Sequence, residues 1–340
     1  MILVRIAQRR IKCATKFLNK INKCNFVTTY NQTSLLTMKI EKIADIYEVL
    51  KSNTHKKRLV IAYANDSHSI EAAHKAVELG LVEAILIGDK NEILRVCQEE
   101  GYDSSHFEII HEPSDVKGAQ LAVEFIRNGK ANVIMKGLVS TDRYMRAILN
   151  KEKGLVEPNS ILSHVTVMEC PGYHKLLTIS DVAIIPLPDL NQKVAMIKYV
   201  TLTAKALGVE CPKVAMIAPT EQVLPKIQST VDAAILSKMA DRGQIAPAIV
   251  VDGPMALDVA IDKEAAEIKK VNSPVAGDAD CLVFPNLEAG NVFYKTNTKI
   301  CHSSQAAILA GAKAPSVLSS RGDSVDTKLN SIALAALLAE

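Results

Sequence analysis

Residues 58–88 read "RLVIAYANDSHSIEAAHKAVELGLVEAILIG". The outer segments, "RLVIAYA" and "VEAILIG", are short apolar runs of strand length. Between them "SHSIEAAHKAVELG" spaces its apolar residues for one face of a helix. The alternation continues outward: "DKNEILRVCQEEG" (89–101) reads as a helix, "FEIIHE" (107–112) as a strand, "PSDVKGAQLAVEFIRNGKA" (113–131) as a helix and "NVIMKG" (132–137) as a strand. Apolar strands separated by amphipathic helices predict a mainly parallel sheet covered on both faces, an α/β fold. Further on, "ILSHVTVMEC" (161–170) and "LLTISDVAIIPLPDL" (176–190) read as strands joined by a turn at "PGYH". "KVAMIAP" reads as a strand, "TVDAAILSKMADRG" as a helix, "AIVVDGPMALDVAID" as strand, turn and helix, and "CLVFPNLEAGNVFYKTNTKI" likewise.

The chain has 340 residues, room for two domains, but no Pro/Gly hinge marks a boundary. Nearly half the residues are apolar, Trp is absent and aromatics are 4%. That composition fits an α/β enzyme and speaks against a nucleic-acid reader, which needs aromatic platforms and a basic face. The seven cysteines (13, 24, 97, 170, 211, 281 and 301) show no CxxC or CxxH pairing, so no metal site is expected and reduced thiols fit best. No apolar run reaches the ~20 residues of a membrane span. Residues 1–37 hold seven cations and no acid, which leaves the rest at net −4 within a total of +3. This extension reads as a mis-assigned start, since the globular pattern begins at Met38, or as an organelle transit peptide. A cytoplasmic location follows from the first reading and an organelle matrix from the second.

Sites in such sheets gather in the loops at strand ends, here 64–67, 88–90, 136–146 and 319–328. In "SSRGDSVDTK" (319–328), an apolar strand ("APSVLSS") turns on small polar residues into an apolar helix ("TKLNSIALAALLA"). Gly322 permits the turn and Asp323 or Ser324 can cap the helix. Free N–H groups and the positive helix end would converge there, and Arg321 adds a fork shaped for phosphate. An adhesion role for the RGD letters is set aside because the stretch is wedged between apolar elements. Two readings stand: an anion site, or an ordinary capped helix whose arginine makes a surface ion pair. In "KGLVSTDRYMR" (136–146), Lys136, Ser140, Thr141, Arg143 and Arg146 supply cations and hydroxyls, again as an anion site or as a solvated face paired with acids. "VDGPMALDVAID" reads mainly as a structural turn, and Gly290 and Asn291 of "FPNLEAGNVFYK" as a turn able to offer amide donors. His164, His174 and Cys170 lack any sequence neighbour that would make them a triad base or a nucleophile. Neither GxGxxG nor GxxxxGK[ST] occurs.

Four of these stretches, "MKGLVSTDRYMRAILNKEKGL", "VDGPMALDVA", "VAGDADCLVFPNLEAGNVFYK" and "APSVLSSRGDS…KLNSIALAA", taken in this order, resemble the phosphate acetyl/butyryltransferase family, most of all its phosphate butyryltransferase branch. The resemblance covers about residues 38–340. It implies a two-domain α/β/α fold like isocitrate and isopropylmalate dehydrogenases, with the active site in the interdomain cleft and a homodimeric assembly. The implied domains are 38–155 with 306–340, and 156–305. It also implies reversible transfer of a short acyl group, butyryl in preference, between CoA and inorganic phosphate. CoA is then a substrate, and no resident cofactor, nucleic acid or membrane partner is expected. By the same likeness Ser320 and Arg321 hold the phosphate or acyl phosphate, and Arg146 meets phosphate. Gly290, Asn291 and Lys295 line the cleft; Lys136, Ser140 and Thr141 belong to the binding set. Two departures stand out. Val182 occupies the place of a cysteine of the acetyl branch, and Thr327 the place of the acid proposed there as base for the CoA thiol. Asp323 and Asp326 are the acids nearest to it in the chain, and Asp323 joins Ser320 and Arg321 as the catalytic set.

The chemistry is consistent. Phosphate attacking a thioester needs its charge held and its oxygen placed about 3 Å from the carbonyl carbon. Arg321, Arg146 and a helix N-terminus can do that, and Ser320 or a nearby N–H can meet the oxyanion. A thiolate (free thiol pKa about 8.5) leaves without strong acid help, so a ternary-complex displacement needs no covalent nucleophile. The alternatives are a phosphate acetyltransferase and a non-catalytic acyl-CoA or anion-binding protein. A dehydrogenase on the same fold would need a metal-binding Asp cluster and a nucleotide site, neither of which is evident.

Overall fold

The structure, a computed structural model, describes residues 40–318 and 323–340. The expectations placed on the 1–37 extension and on Ser320, Arg321 and Gly322 lie outside those residues. In chain order the first elements are α1 (Ile43–Ser52), β1 (Lys57–Ala62), α2 (Ser67–Glu78), β2 (Val82–Gly88), α3 (Lys90–Glu100), β3 (Phe107–His111), α4 (Asp115–Arg127), β4 (Val133–Lys136) and α5 (Thr141–Ile148). Then come β5 (Ser163–Glu169), β6 (Leu177–Ser180), α6 (Leu190–Ala206), β7 (Lys213–Ile217), α7 (Gln228–Asp241), β8 (Val250–Met255), α8 (Leu257–Ile261) and α9 (Lys263–Ile268). The chain closes with β9 (Cys281–Val283), α10 (Leu287–Lys299), β10 (Ser304–Ala310), β11 (Ser316–Val317) and α11 (Val325–Leu338).

The strands form one sheet in the order β3-β2-β1-β4-β11-β10-β5-β6-β9-β7-β8. Pairing is parallel from β3 to β11 and again from β6 to β8, as the apolar strand runs predict. The middle is antiparallel: β10 pairs with both β11 and β5, and β5 with β6. The result is an α/β fold around a mostly parallel mixed sheet.

Side chains alternate across a strand, so each face has its own core. One face is continuous. Ile61, Met135, Val317, Ile308, Val165, Val283 and Val214 run across it as one apolar cluster. Helix α11 crosses its middle and buries Leu329, Ile332 and Leu334, each worth about 1.5–3 kcal/mol on burial. The other face is divided. One cluster holds Val60, Ile87, Ile134 and Tyr144 under α4 and α5; a second holds Met168, Ile179, Leu282 and Phe284 under α10. Where they would meet, polar side chains enter the face: His164 and Thr166 on β5, Gln305 on β10, Ser316 on β11 and Lys136 on β4, all buried, with Leu309 and Ala307 of β10 among them. This seam spans three strand spacings, roughly 14 Å.

One local expectation is corrected and one pair of alternatives is decided. Residues 176–190 do not run on as a strand, because β6 stops at Ser180. The Asp181 carboxylate takes the N–H groups of Ala183 and Ile184 at 2.8 and 2.7 Å, folding the chain into a turn instead of a ladder. At the last helix the cap is Ser324, whose Oγ accepts from Thr327 N at 3.1 Å, and not Asp323. Two of the watched loops serve the scaffold. Asp66 caps α2 and Asp89 caps α3, while Asn65 Oδ1 accepts from Asp89 N at 3.0 Å.

Candidate active site

Strand β4 carries Lys136 to the edge of the seam. The lysine is buried, and its Nζ donates to the carbonyls of Gly137 (3.1 Å) and Val139 (3.2 Å). The loop curls tightly there because Gly137 has no side chain; a Cβ would lie 2.3 Å from the Tyr63 carbonyl oxygen. Ser140 then caps α5 by accepting from Arg143 N at 3.3 Å, and exposed Thr141 begins the helix. Both arginines of this helix are paired with acids, Arg143 with Asp115 (2.5 Å) and Arg146 with Asp142 (3.1 Å). They line a cavity of about 940 Å³ that also receives Glu112, Glu124 and Glu152. Acids balance cations there, so the cavity has no bias toward anions. Arg146 is 79% exposed, and trading Asp142 for a phosphate exchanges one exposed ion pair for another, a matter of about 0–1 kcal/mol.

On the far side of the seam the organising group is Asp181, which the sequence reading did not single out. It is 1% exposed. One oxygen takes the two turn N–H groups; the other accepts from Ser163 Oγ and from His164 N, both at 2.8 Å. Ser163 Oγ also lies 2.8 Å from Ser180 Oγ. One carboxylate thus fastens the start of β5, the end of β6 and the 181–184 turn. Helix α10 packs directly on that turn. Gly290 permits the approach, since a Cβ there would sit 2.1 Å from the Asp181 carbonyl oxygen. Asn291 Nδ2 donates to Val182 O at 2.9 Å. In this structure Gly290 and Asn291 hold the wall. Lys295 is exposed, its Nζ 5.6 Å from the Tyr294 ring centroid. Gly290→Ala is therefore expected to displace α10 from the turn, costing about 1–3 kcal/mol of stability and more than tenfold in activity. Paired melting and thiol-release measurements check this; a wild-type melting temperature with wild-type activity contradicts it.

His164 stands between the two walls. Its ring nitrogen Nδ1 lies 3.2 Å from Thr166 Oγ1. Burial pushes the imidazole below its usual pKa, while the charges of Asp181 and Asp323 pull it back. Asp323 also acts on Tyr294, whose phenol burial first, and then that charge, push up to about 12. Asp323, just before α11, thus lends its charge to both groups. His174, by contrast, pairs at the surface with Asp278 at 3.0 Å, and Asp258 pairs with Lys269 at 2.9 Å. Burial raises the Cys170 thiol above its ordinary pKa, which disfavours the nucleophilic thiolate. Among the described residues no cluster of His, Cys, Asp and Glu could hold a metal, and no helix is long and apolar enough to cross a membrane.

The family model described as "Phosphate acetyl/butaryl transferase" matches residues 42–118 and 97–336. A phosphate butyryltransferase of Clostridium acetobutylicum is 46% identical over 300 residues, 88% of this chain and 99% of that protein. A phosphate acetyltransferase of Thermotoga maritima is 42% identical over 283 residues, 83% of this chain and 95% of that protein. The crystal structure of a branched-chain phosphotransacylase from Enterococcus faecalis V583 superposes with a TM-score of 0.74 at 28% identity, covering 83% of this chain and 98% of that one. The chain belongs to the phosphate acetyl/butyryl transferase family. It is a phosphate acyltransferase, an enzyme of CoA and acyl-phosphate chemistry.

Proposed function

We propose that the enzyme exchanges a short acyl group, butyryl in preference to acetyl, between CoA and inorganic phosphate at the polar seam. The observation that carries the site is the set of buried polar side chains on the central strands, where Lys136, His164, Thr166, Gln305 and Ser316 gather around Leu309 between the two apolar clusters. The 46% identity to a protein named phosphate butyryltransferase supports the acyl preference. In this reading residues 38–155 with 306–340 form one domain and 156–305 the other, and the seam is the cleft between them. Arg321 and Ser320 hold the phosphoryl group at the mouth of α11. Lys136 adds positive charge, with Ser140, Thr141 and Arg146 along the α5 rim. Gly290 and Asn291 shape the opposite wall, where Lys295 is a further cation. Phosphate attacks the thioester directly, the thiolate leaves, and no acyl-enzyme forms. A homodimer in the cytoplasm is the assembly and location that accompany this reading.

The substrate preference is tested by kcat/KM for butyryl-CoA and acetyl-CoA under saturating phosphate. Butyryl exceeds acetyl by two methylenes, each worth about 1–3 kcal/mol in an apolar pocket, so butyryl-CoA is expected to lead by about two orders of magnitude or more while acetyl-CoA still turns over. A higher value for acetyl-CoA overturns the preference and leaves the reaction class standing.

A further inference from the structure

We propose that His164 is the proton carrier of the reaction, relaying a proton between phosphate and the CoA sulfur, with Asp323 as the carboxylate that steadies its charged form. The inference rests on the acyltransferase reading above and assigns the acid–base group of that same site.

The geometry singles out this residue. His164 lies on the divided face of the sheet, in the seam, and is 5% exposed. Its backbone N–H is fixed to Asp181, and its ring is held at Nδ1, 3.2 Å from the Thr166 hydroxyl. Nε2 makes no hydrogen bond among the described residues. The charged groups that act on the ring come from two directions, Asp181 after β6 and Asp323 before α11. Lys136 lies on the same face, on β4. The two carboxylates favour an imidazolium once a proton arrives. Burial keeps the resting ring neutral and ready to accept one. Thr327, on the first turn of α11, is occupied with the cap: its N–H donates to Ser324 Oγ, and its hydroxyl is 3.1 Å from the same oxygen.

The proton balance closes with one such group. In the direction of acyl-phosphate synthesis, HPO₄²⁻ gives its proton to Nε2 as its oxygen bonds to the acyl carbon. The C–S bond breaks, and the imidazolium returns the proton to the thiolate. In reverse, Nε2 takes the thiol proton as sulfur bonds to the acyl carbon, the C–O bond to phosphate breaks, and the proton goes to the departing phosphate. Nothing is oxidised or reduced and no further reactant is required.

The test uses the full chain with butyryl-CoA and phosphate forward, and butyryl phosphate and CoA in reverse. His164→Gln is expected to lower kcat by about 10²–10⁴-fold in both directions, the usual worth of general acid–base catalysis, with phosphate KM within about threefold of wild type. Its reverse rate should climb with pH as CoA ionises by itself (free thiol pKa about 8.5), whereas the wild-type rate levels off earlier. A purely structural histidine would give no such change of pH profile. Asp323→Asn removes a charge that raises the imidazole pKa, so the acidic limb of the wild-type profile should move to lower pH. Asp323→Asn carries the test if His164→Gln does not fold, as judged by its melting curve. A folded His164→Gln enzyme within threefold of wild type at every pH overturns the proposal, as does an Asp323→Asn limb that stays in place. Absence of phosphate-dependent thiol release by the wild-type enzyme is a different result, which removes the acyltransferase reading and this inference with it.

Discussion

Arg321→Ala is expected to lower phosphate-dependent thiol release from butyryl-CoA by on the order of 10²–10³-fold, about 2–4 kcal/mol of transition-state binding, by analogy with the loss of one oxyanion donor. The expectation comes from the elements on either side of the arginine. β11 is buried between β4 and β10, and α11 buries most of its length against the continuous core. At the start of α11 Ser324 takes up the N–H of Thr327, and the other N–H groups of a first helical turn suit an anion. Arg321→Lys keeps the charge and loses the planar fork, so it should recover part of the rate and leave phosphate KM raised. If both variants keep wild-type kcat and phosphate KM, the phosphate does not bind at this turn.

The second large effect is expected at Asp181. Replacing it with Ala strands the N–H groups of His164, Ala183 and Ile184, which are satisfied at 2.7–2.8 Å by the carboxylate. A buried donor left unpaired costs about 1–3 kcal/mol; with water regaining part of the turn, the total should come to about 3–5 kcal/mol. Activity should fall further than stability, because the same carboxylate orients His164 and forms the wall on which α10 packs. Asp181→Asn is the sharper probe. It keeps the shape and one acceptor but turns an NH₂ group on at least one of the three backbone donors. Denaturant melts of the three proteins measure the effect, and a loss below 1 kcal/mol for both variants would show that the turn forms without the carboxylate.

The outer parts of the sheet were legible because each strand is a short apolar run with a helix beside it. That local pattern is all that parallel pairing requires. The middle was less legible. β5 was visible as a run, but its partner β10 lies some 130 residues away, and no local feature of "SQAAILA" announces that pairing. α6 had a signal that went unread: Asp189 and Gln192 form a capping box immediately before it. Asp181 also left a trace, a lone acid inside the apolar run "ISDVAIIP". Such an acid either breaks a strand or is buried with partners, and here it does both. His164 and Thr166 alternate with valines, the pattern of a strand with one wet face. Only the fold shows that this face lies in a polar gap between two cores. The candidate residues on α5 were picked out by their run of cations and hydroxyls and by family likeness, while the ion pairs they make with Asp115 and Asp142 depend on neighbours that spacing alone did not select.

The central claim is phosphate-dependent acyl transfer, and thiol release from butyryl-CoA as a function of phosphate concentration tests it most directly. A rate that saturates with phosphate, with one acyl phosphate formed for each thiol released, is the predicted result. Thiol release that is absent at all phosphate concentrations, or that proceeds equally without phosphate, contradicts it.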